Sequence, residues 1–413
     1  MKIRVRRTRI RVPGYRFAGV RCGLKASGKR DVAVIASDVP AVAVAAFTTN
    51  RVKAAPVRVG IEHAKRGRLQ AIVVNSGNAN AYTGRQGLKV AQAMCALVGR
   101  ELDIDPKLVL PSSTGRIAVQ LPVDQVCRGV EAACRTLSRD GFHTALEGMM
   151  TTDAFPKFAT ESLVLDGREV VIAGMAKGAG MIAPQMVLAP SGKLERHATL
   201  LSYVLTDAAV SKGVLRRALN VALAQSYNTI VVDGDTSTND TVVVLANGVA
   251  GNRPLAAKSR GTNAFCAAVA RVMTALARMI VKDGEGATKV VDIHVRGARS
   301  VRDAERVADA IARSPLCKAA FFGGDPYAGR LVCAMGYSGA RFDPARIDIY
   351  LEDLAVVRRG IEVVDGDARR ANALMKRPEF ALTIDLRAGN AIAHRVCSDL
   401  TVDYVRFNSD YRT

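Results

Sequence analysis

Several features are missing from this 413-residue chain, and each absence excludes a class of protein. The sequence has no tryptophan, only 5% aromatic residues, and no uncharged stretch longer than Leu69–Gly84, which itself contains polar residues. A bilayer-spanning helix needs about 18 or more apolar residues, so the sequence predicts no transmembrane helix. Because 49% of the residues are hydrophobic and 23% are charged, a disordered or collagen-like chain is excluded too.

Acidic residues are scarce: 38 Asp and Glu stand against 59 Lys and Arg, a net charge of +21. The basic residues are densest in residues 2–12, where they largely alternate with Ile and Val. This alternation predicts a strand with one solvated face, and a basic arm for nucleic acid is the alternative. We expect binding neither to nucleic acid nor to a membrane.

Metal and redox motifs are also missing. The eight cysteines include no C-x-x-C pair, and the five histidines are scattered without metal-ligand spacing. In a long chain without a recognisable export signal, such cysteines are expected to be reduced core thiols. We therefore expect a cytoplasmic protein with no metal site and no cofactor.

Strand-like and helix-like segments alternate along the chain, which predicts a mixed α/β or α+β fold. Apolar residues at helical spacing predict helices at about Gly87–Leu102, Asn263–Val281 and Asp303–Arg313. A domain boundary is expected just after Gly286. The strand candidates are Asp31–Ala36, Ala71–Asn75, Leu108–Leu110, Val170–Ala173, Thr199–Leu205, Thr241–Leu245 and Val290–Val295.

Two short motifs imitate ligand sites without meeting their requirements. Gly178–Ala183 has the glycine spacing of a dinucleotide fingerprint, but Pro184 and Pro190 prevent the helix that must follow it. Asp233–Asp240 spaces oxygen side chains like a calcium loop, yet it lacks the glycine and the bidentate glutamate of that motif. We interpret it as a polar loop that leads into a strand.

A nucleophile is not evident from local signatures, because the sequence has neither G-x-S-x-G nor a histidine-bearing catalytic motif. Ala198-Thr199 lies where an irregular segment meets an apolar run. Thr199 is either an ordinary core-strand residue or an N-terminal nucleophile. In the second case, cleavage before Thr199 would free an α-amine that activates its own hydroxyl.

Nine ordered blocks of sequence resemble the ornithine acetyltransferase (glutamate N-acetyltransferase) family, self-cleaving acyltransferases of arginine biosynthesis, over nearly the whole chain. The blocks are Asn75–Asn80, Pro111–Gly115, Met150–Asp153 with Phe155–Lys157, Ala176–Pro184, Ala198-Thr199 with Thr206–Ala208, Asp233–Asp240, Asp283–Lys289, Gly324–Pro326 and Asp403–Thr413.

The resemblance implies a layered α/β sandwich of the N-terminal-nucleophile type, residues 1–286, followed by a smaller C-terminal α/β domain, residues 287–413. It also implies self-cleavage between Ala198 and Thr199. The products would be an α chain, 1–198, and a β chain, 199–413, assembled as two α and two β chains.

The implied reaction is ping-pong transfer of an acetyl group from N-acetylornithine to glutamate in a multifunctional enzyme of arginine biosynthesis. Thr199 would carry the acetyl group, while the Thr114 hydroxyl and the Gly115 amide stabilise the oxyanion. Some members of the family also accept acetyl-CoA as donor. The residues implied in substrate binding are Thr151, Thr152, Lys177, Thr199, Glu285, Asn408 and Thr413.

Two departures from the family pattern concern function. Eleven residues, Val187–His197, precede Ala198-Thr199 where relatives have none, and a longer loop could relax the strain on which self-cleavage relies. Asp325–Arg330 lacks the Asn-Trp pair of relatives, which could alter the choice of donor or acceptor. The alternatives are an amidohydrolase or aminopeptidase that uses water as acceptor, and an unprocessed basic binding protein.

Overall fold

The computed structural model describes residues 9–184, 186–188, 200–235 and 237–410. It confirms the mixed α/β class, with two sheets and covering helices. The strands are β1 Tyr15–Val20, β2 Val32–Thr48, β3 Arg68–Asn78, β4 Val109–Arg116, β5 Lys157–Leu165, β6 Arg168–Lys177, β7 Met186–Leu188, β8 Leu201–Thr206, β9 Ile230–Val231, β10 Thr241–Ala246, β11 Val290–Ala298, β12 Asp348–Leu351, β13 Leu354–Arg358, β14 Ile361–Glu362, β15 Glu379–Asp385 and β16 Ala391–Ser398.

The helices alternate with these strands. They are α1 Ala55–Ala64, α2 Gly84–Leu102, α3 Val123–Arg135, α4 Phe142–Met149, α5 Lys212–Gln225, α6 Thr262–Lys282, α7 Val301–Arg313, α8 Pro315–Gly323, α9 Gly329–Tyr337, α10 Ala368–Met375 and α11 Val402–Asp410.

The first sheet has the order β4-β3-β2-β10-β8-β6-β5, and β1 and β7 also pair with β2. The long strand β2 joins two halves of this sheet: its first part pairs with β1 and β3, and its last part with β10 and β7. A register shift against β3 between Ala36 and Ala41 separates the two parts. Such irregularities bend a strand and increase its twist, so β2 can serve both halves.

Three apolar clusters define the layers around this sheet. One cluster joins one face of both halves with side chains of α1 and α4, including Phe17 and Phe142 in edge-to-face contact at 5.4 Å. On the opposite face, α2 and α3 cover the half with β3 and β4. Helices α5 and α6 cover the half with β6, β8 and β10. The result is the expected layered α/β sandwich.

The second sheet has the order β14-β13-β12-β15-β11-β16-β9 and its own apolar cluster with α7, α8, α9 and α10. Most of it follows Gly286, but β9 comes from before that position and pairs in parallel with β16. The division into domains at Gly286 stays a prediction, and β9 ties the two parts together across it.

Most elements expected from the sequence are present with slightly different bounds. The helix expected at Asn263–Val281 is α6, Thr262–Lys282, and the run expected at Thr199–Leu205 is a strand from Leu201. The strand expected in residues 2–12 is wrong for 9–12, which form no strand, although Ile10 is buried there and Arg9 is exposed. Residues 2–8 lie outside the described residues.

Two further expectations concern burial. Cysteines are unpaired, as expected, and five are buried, but Cys333 is exposed.

Helix α6 is long and apolar enough to cross a bilayer, yet 61% of its most apolar window is buried inside the protein. This burial is typical of a core helix in a soluble protein, because the apolar side chains are already covered by β5, β6 and α5.

Candidate active site

A cavity of about 290 Å³ lies where segments from both halves of the chain meet. Its walls come from the end of β4, the loop after α4, the end of β6, the loop before β10, the turn after α6 and helix α11. The lining residues are Ala79, Thr114, Gly115, Ile117, Thr151, Thr152, Lys177, Gly180, Met181, Asp233, Asp235, Ser237, Asn239, Glu285, Tyr404 and Asn408. Seven of the residues that the family resemblance implies therefore line one cavity: Thr114, Gly115, Thr151, Thr152, Lys177, Glu285 and Asn408.

Thr114 and Gly115 lie at the end of β4, where it pairs in parallel with β3. Thr114 is 2% exposed. Gly115 has φ of +128°, and a Cβ atom there would collide with the backbone of Gly77. Glycine is required because only it combines this backbone conformation with so close an approach between strands.

Lys177 at the end of β6 is 3% exposed and donates from Nζ to Thr114 Oγ1 at 3.2 Å. Burial lowers the pKa of Lys177, and Lys157 acts in the same direction, while Asp153, Glu285 and Asp240 oppose it. Because Thr114 accepts this hydrogen bond, its own hydroxyl proton is available for another acceptor in the cavity.

Behind the cavity wall, Lys157 lies between two carboxylates, all three side chains being at most 3% exposed. Its Nζ donates to Asp153 Oδ1 at 2.6 Å and to Asp283 Oδ2. We call Asp153, Lys157 and Asp283 the buried triad. All three residues lie in the matching sequence blocks, but the pairing of Lys157 with Asp283 has no local signature because the two are 126 positions apart.

The buried triad holds three segments that form the cavity. Asp153 accepts from the backbone amides of Thr151 and Gly178, both at 2.8 Å. Asp283 accepts from the amide of Ala154 at 3.0 Å. The loop with Thr151 and Thr152, the end of β6 with Lys177 and the turn with Glu285 are thus fixed to one another.

One lysine cannot neutralise two carboxylates fully, and the pKa values reflect this. Burial raises the pKa of Asp283 to about 6, against the opposing effect of Lys157. For Asp153, burial is outweighed by Lys157, Lys177 and the hydrogen bonds, so its pKa lies below the usual value. We therefore assign the ionised form to Asp153 and the readily protonated form to Asp283.

One wall of the cavity is acidic. Glu285 accepts from Asn408 Nδ2 at 3.1 Å, and its own amide donates to the carbonyl of Ala179 at 2.9 Å. Gly180 lies against the Glu285 carboxylate so closely that a Cβ atom would collide with it. Glu285 therefore links Asn408 of α11 to Ala179 in the segment that follows β6.

Asp233, Asp235 and Tyr404 also line this wall, although none of them was predicted from the sequence as a site residue. Asp233 accepts from the amides of Ile182 at 2.8 Å and Met181 at 2.5 Å, and burial raises its pKa. Asp233 thereby holds the segment that follows β6. Residues 233–235 and 237–240 form neither helix nor strand and lead into β10, as the interpretation of Asp233–Asp240 predicted. In agreement with the rejection of a dinucleotide site, residues 178–184 form no helix.

The loop before β10 connects the cavity with the start of β8. Asn239 donates from Nδ2 to the carbonyls of Ala79 and Ser113, at 2.6 and 2.8 Å. The next residue, Asp240, accepts from the amide of Leu200. Leu200 is therefore anchored beside a cavity-lining residue. Ala198, Thr199 and Thr413 lie outside the described residues.

The two departures from the family pattern lie in different places. Met186–Leu188 forms β7 against the end of β2, while residues 189–199 lie outside the described residues. Asp325–Arg330 comprises the segment before α9 and the first two residues of that helix. In this segment, the Tyr327 hydroxyl donates to Asp365 at 3.0 Å. None of its residues lines the cavity.

Comparison with known proteins assigns the chain to a family. Residues 16–413 match the ArgJ family. The chain is 47% identical over 402 residues to the arginine biosynthesis bifunctional protein ArgJ of Symbiobacterium thermophilum, covering 97% of each chain. The chain belongs to the ArgJ family. It is also 43% identical to the ArgJ protein of Geobacter sulfurreducens, covering 97% of this chain and 100% of the relative.

A crystal structure of the ArgJ protein from Bacillus halodurans is 37% identical and covers 51% of this chain and 98% of that chain, with a TM-score of 0.49. The family match and the identity to these curated relatives confirm the expected family, and the chain is an enzyme of arginine biosynthesis. Membership favours the acetyltransferase interpretation over the amidohydrolase and the basic binding protein.

The buried triad predicts a pH dependence of stability. The pKa of Asp283 is about 6 in the folded protein and about 4 in an unfolded chain. The folded state therefore binds more protons between these values, and stability falls as pH rises from about 4 to 6. We expect the Tm of the wild type to fall by roughly 2 °C across this window relative to that of Asp283→Asn.

Thermal unfolding at a series of pH values measures this difference. Asp124→Asn, which removes an exposed carboxylate on α3, is the matched control and should track the wild type. If the Tm of the wild type minus the Tm of Asp283→Asn stays constant or rises between about pH 4 and pH 6, the assigned protonation is contradicted.

Proposed function

We propose that the protein transfers the acetyl group of N-acetylornithine to glutamate through an acetyl ester on Thr199. The observation that carries the proposal is the convergence of the family's motif residues on one cavity. These residues come from both sides of the expected cleavage site, so the proposed α and β chains would each contribute to the site.

In the first half-reaction, the Thr199 hydroxyl attacks the acetyl carbonyl of N-acetylornithine. The free α-amine of Thr199 takes the hydroxyl proton and passes it to the leaving amine, so ornithine departs and an ester remains. In the second half-reaction the amine of glutamate attacks the ester and restores the hydroxyl. The anchoring of Leu200 to Asp240, beside Asn239, supports a nucleophile at this edge of the cavity.

Both half-reactions pass through a tetrahedral oxyanion, which we assign to the Thr114 hydroxyl and the Gly115 amide. The hydrogen bond from Lys177 to Thr114 Oγ1 supports this role. Because Thr114 Oγ1 accepts this bond, the Thr114 hydroxyl proton is free to point at the oxyanion. The positive charge of Lys177 also stabilises the oxyanion.

The charge distribution of the cavity suits the proposed substrates. N-acetylornithine carries a carboxylate and a side-chain ammonium, and glutamate carries two carboxylates and an amine. Lys177 supplies a buried cation, and Glu285 with the neighbouring aspartates supplies the acidic wall. We place the ammonium of ornithine at the acidic wall, with Thr151, Thr152 and Asn408 as polar contacts.

The remaining features of the proposal rest on the family resemblance. They are self-cleavage between Ala198 and Thr199, an assembly of two α and two β chains, a contribution of Thr199 and Thr413 to substrate binding, and a cytoplasmic location. Use of acetyl-CoA as a second donor belongs to the same group.

Ornithine release with and without glutamate tests the proposed reaction. We expect more than one ornithine per enzyme only when glutamate is present, with one N-acetylglutamate formed for each. Thr199→Ala should abolish release, whereas Thr199→Ser should keep part of it because a hydroxyl remains. Continued release without glutamate would instead support water as the acceptor.

A second test addresses the oxyanion contact. Thr114→Val keeps the shape of the side chain but removes its hydroxyl, and we expect kcat to fall on the order of 100- to 1,000-fold. Thr114→Ser, which restores a hydroxyl, is the matched control and should recover much of the rate. Equal rates for Thr114→Val and the wild type would remove Thr114 from the oxyanion site.

A further inference from the structure

A second group of potential ligands lies on the C-terminal sheet. Strands β11 and β16 pair in antiparallel register, with His294 directly opposite His394. Asp292 precedes His294 by two residues and therefore projects from the same face of the sheet. This group could not be predicted from the sequence, because the two histidines are 100 positions apart and only strand pairing brings them together.

The three side chains are close enough to share one ion. The imidazole rings of His294 and His394 stack with centroids 4.6 Å apart and an angle of 18° between planes. His394 Nε2 lies 3.3 Å from Asp292 Oδ1. One ligand atom from each of the three residues lies within 4.8 Å of the other two.

This face of the sheet is accessible from solvent. Neighbouring residues of β11, Ile293 and Val295, point the opposite way into the apolar cluster under α7. His294 is exposed, and Asp292 and His394 are half-buried. An ion can therefore reach the group without any change in the fold.

The donor atoms of this group also suit a metal ion. Each histidine has ring nitrogens that can bind a metal, and Asp292 has two carboxylate oxygens. The set therefore offers two nitrogen ligands and one carboxylate oxygen.

We propose that Asp292, His294 and His394 bind one divalent transition-metal ion of the zinc, cobalt or nickel type. Imidazole nitrogen combined with carboxylate suits these ions, whereas calcium and magnesium prefer sites made only of oxygen. Three protein ligands leave at least one coordination position open. The bound ion would link β11 to β16.

A neighbouring cation moderates the affinity of this site. Arg278 Nη1 donates to both oxygens of Asp292 at 2.9 Å, and Nη2 donates to Glu379 at 2.8 Å. Asp292 therefore shares its charge between Arg278 and the ion, and the two histidines supply most of the binding. None of the three ligands lines the cavity described above, so the ion takes no part in acetyl transfer.

Titration with Co²⁺ tests the proposal, because tetrahedral or five-coordinate cobalt gives visible d–d absorption. The full-length protein, without an affinity tag and stripped with a chelator, should show saturable absorption at one equivalent that Zn²⁺ displaces. His294→Ala and His394→Ala should each weaken binding at least tenfold. His63→Gln and Cys333→Ser are the matched controls and should bind like the wild type.

Thermal unfolding with and without Zn²⁺ provides a readout that does not depend on cobalt geometry. A ligand that binds only the folded state raises Tm, so Zn²⁺ should raise the Tm of the wild type but not that of His294→Ala. Circular dichroism before metal addition shows whether the variants are folded. Absence of saturable binding to the wild type, or unchanged binding to both folded histidine variants, would overturn the proposal.

Discussion

The ion pairs that Lys157 makes with Asp153 and Asp283 hold together the segments on which the cavity depends. Through backbone hydrogen bonds, the two carboxylates fix the loop after α4, the end of β6 and the turn after α6. Removal of one buried partner from such a network lowers the free energy of unfolding by several kcal/mol, because a charge is then left unpaired. Loss of Lys157 would leave Asp153 and Asp283 without their cation and so weaken the contacts among the segments that carry Thr151, Lys177 and Glu285.

The network also explains how charge of both signs can exist in a small cavity. Asp153 forms an ion pair with Lys157 and also lies near Lys177. Its negative charge therefore offsets the positive charge of Lys177 from outside the cavity. The acidic wall is organised separately, by backbone amides donating to Asp233 and by Asn408 donating to Glu285. The charged groups of both signs are therefore held by hydrogen bonds from other segments of the chain, with Lys177 bonded to Thr114, Asp233 to Met181 and Ile182, and Glu285 to Asn408.

Patterns that depend on local sequence could be predicted. Helix α6 and strands β3, β10 and β11 follow from apolar spacing, and the motif blocks identified most of the residues that line the cavity. In contrast, the roles of Lys157 and Asp283 depend on pairing across 126 positions, which periodicity does not reveal. His294 and His394 meet only through strand register, and the alternation in residues 9–12 reflects burial of Ile10 without a strand.

The central claim is that the acetyl group passes through Thr199. Incubation with N-acetylornithine in the absence of glutamate, followed by denaturation, digestion and mass spectrometry, tests it directly. The account predicts a peptide that begins at Thr199 and carries one acetyl group, which disappears when glutamate is added. An intact Ala198-Thr199 bond in active enzyme, or an acetyl group on another residue, would contradict the account.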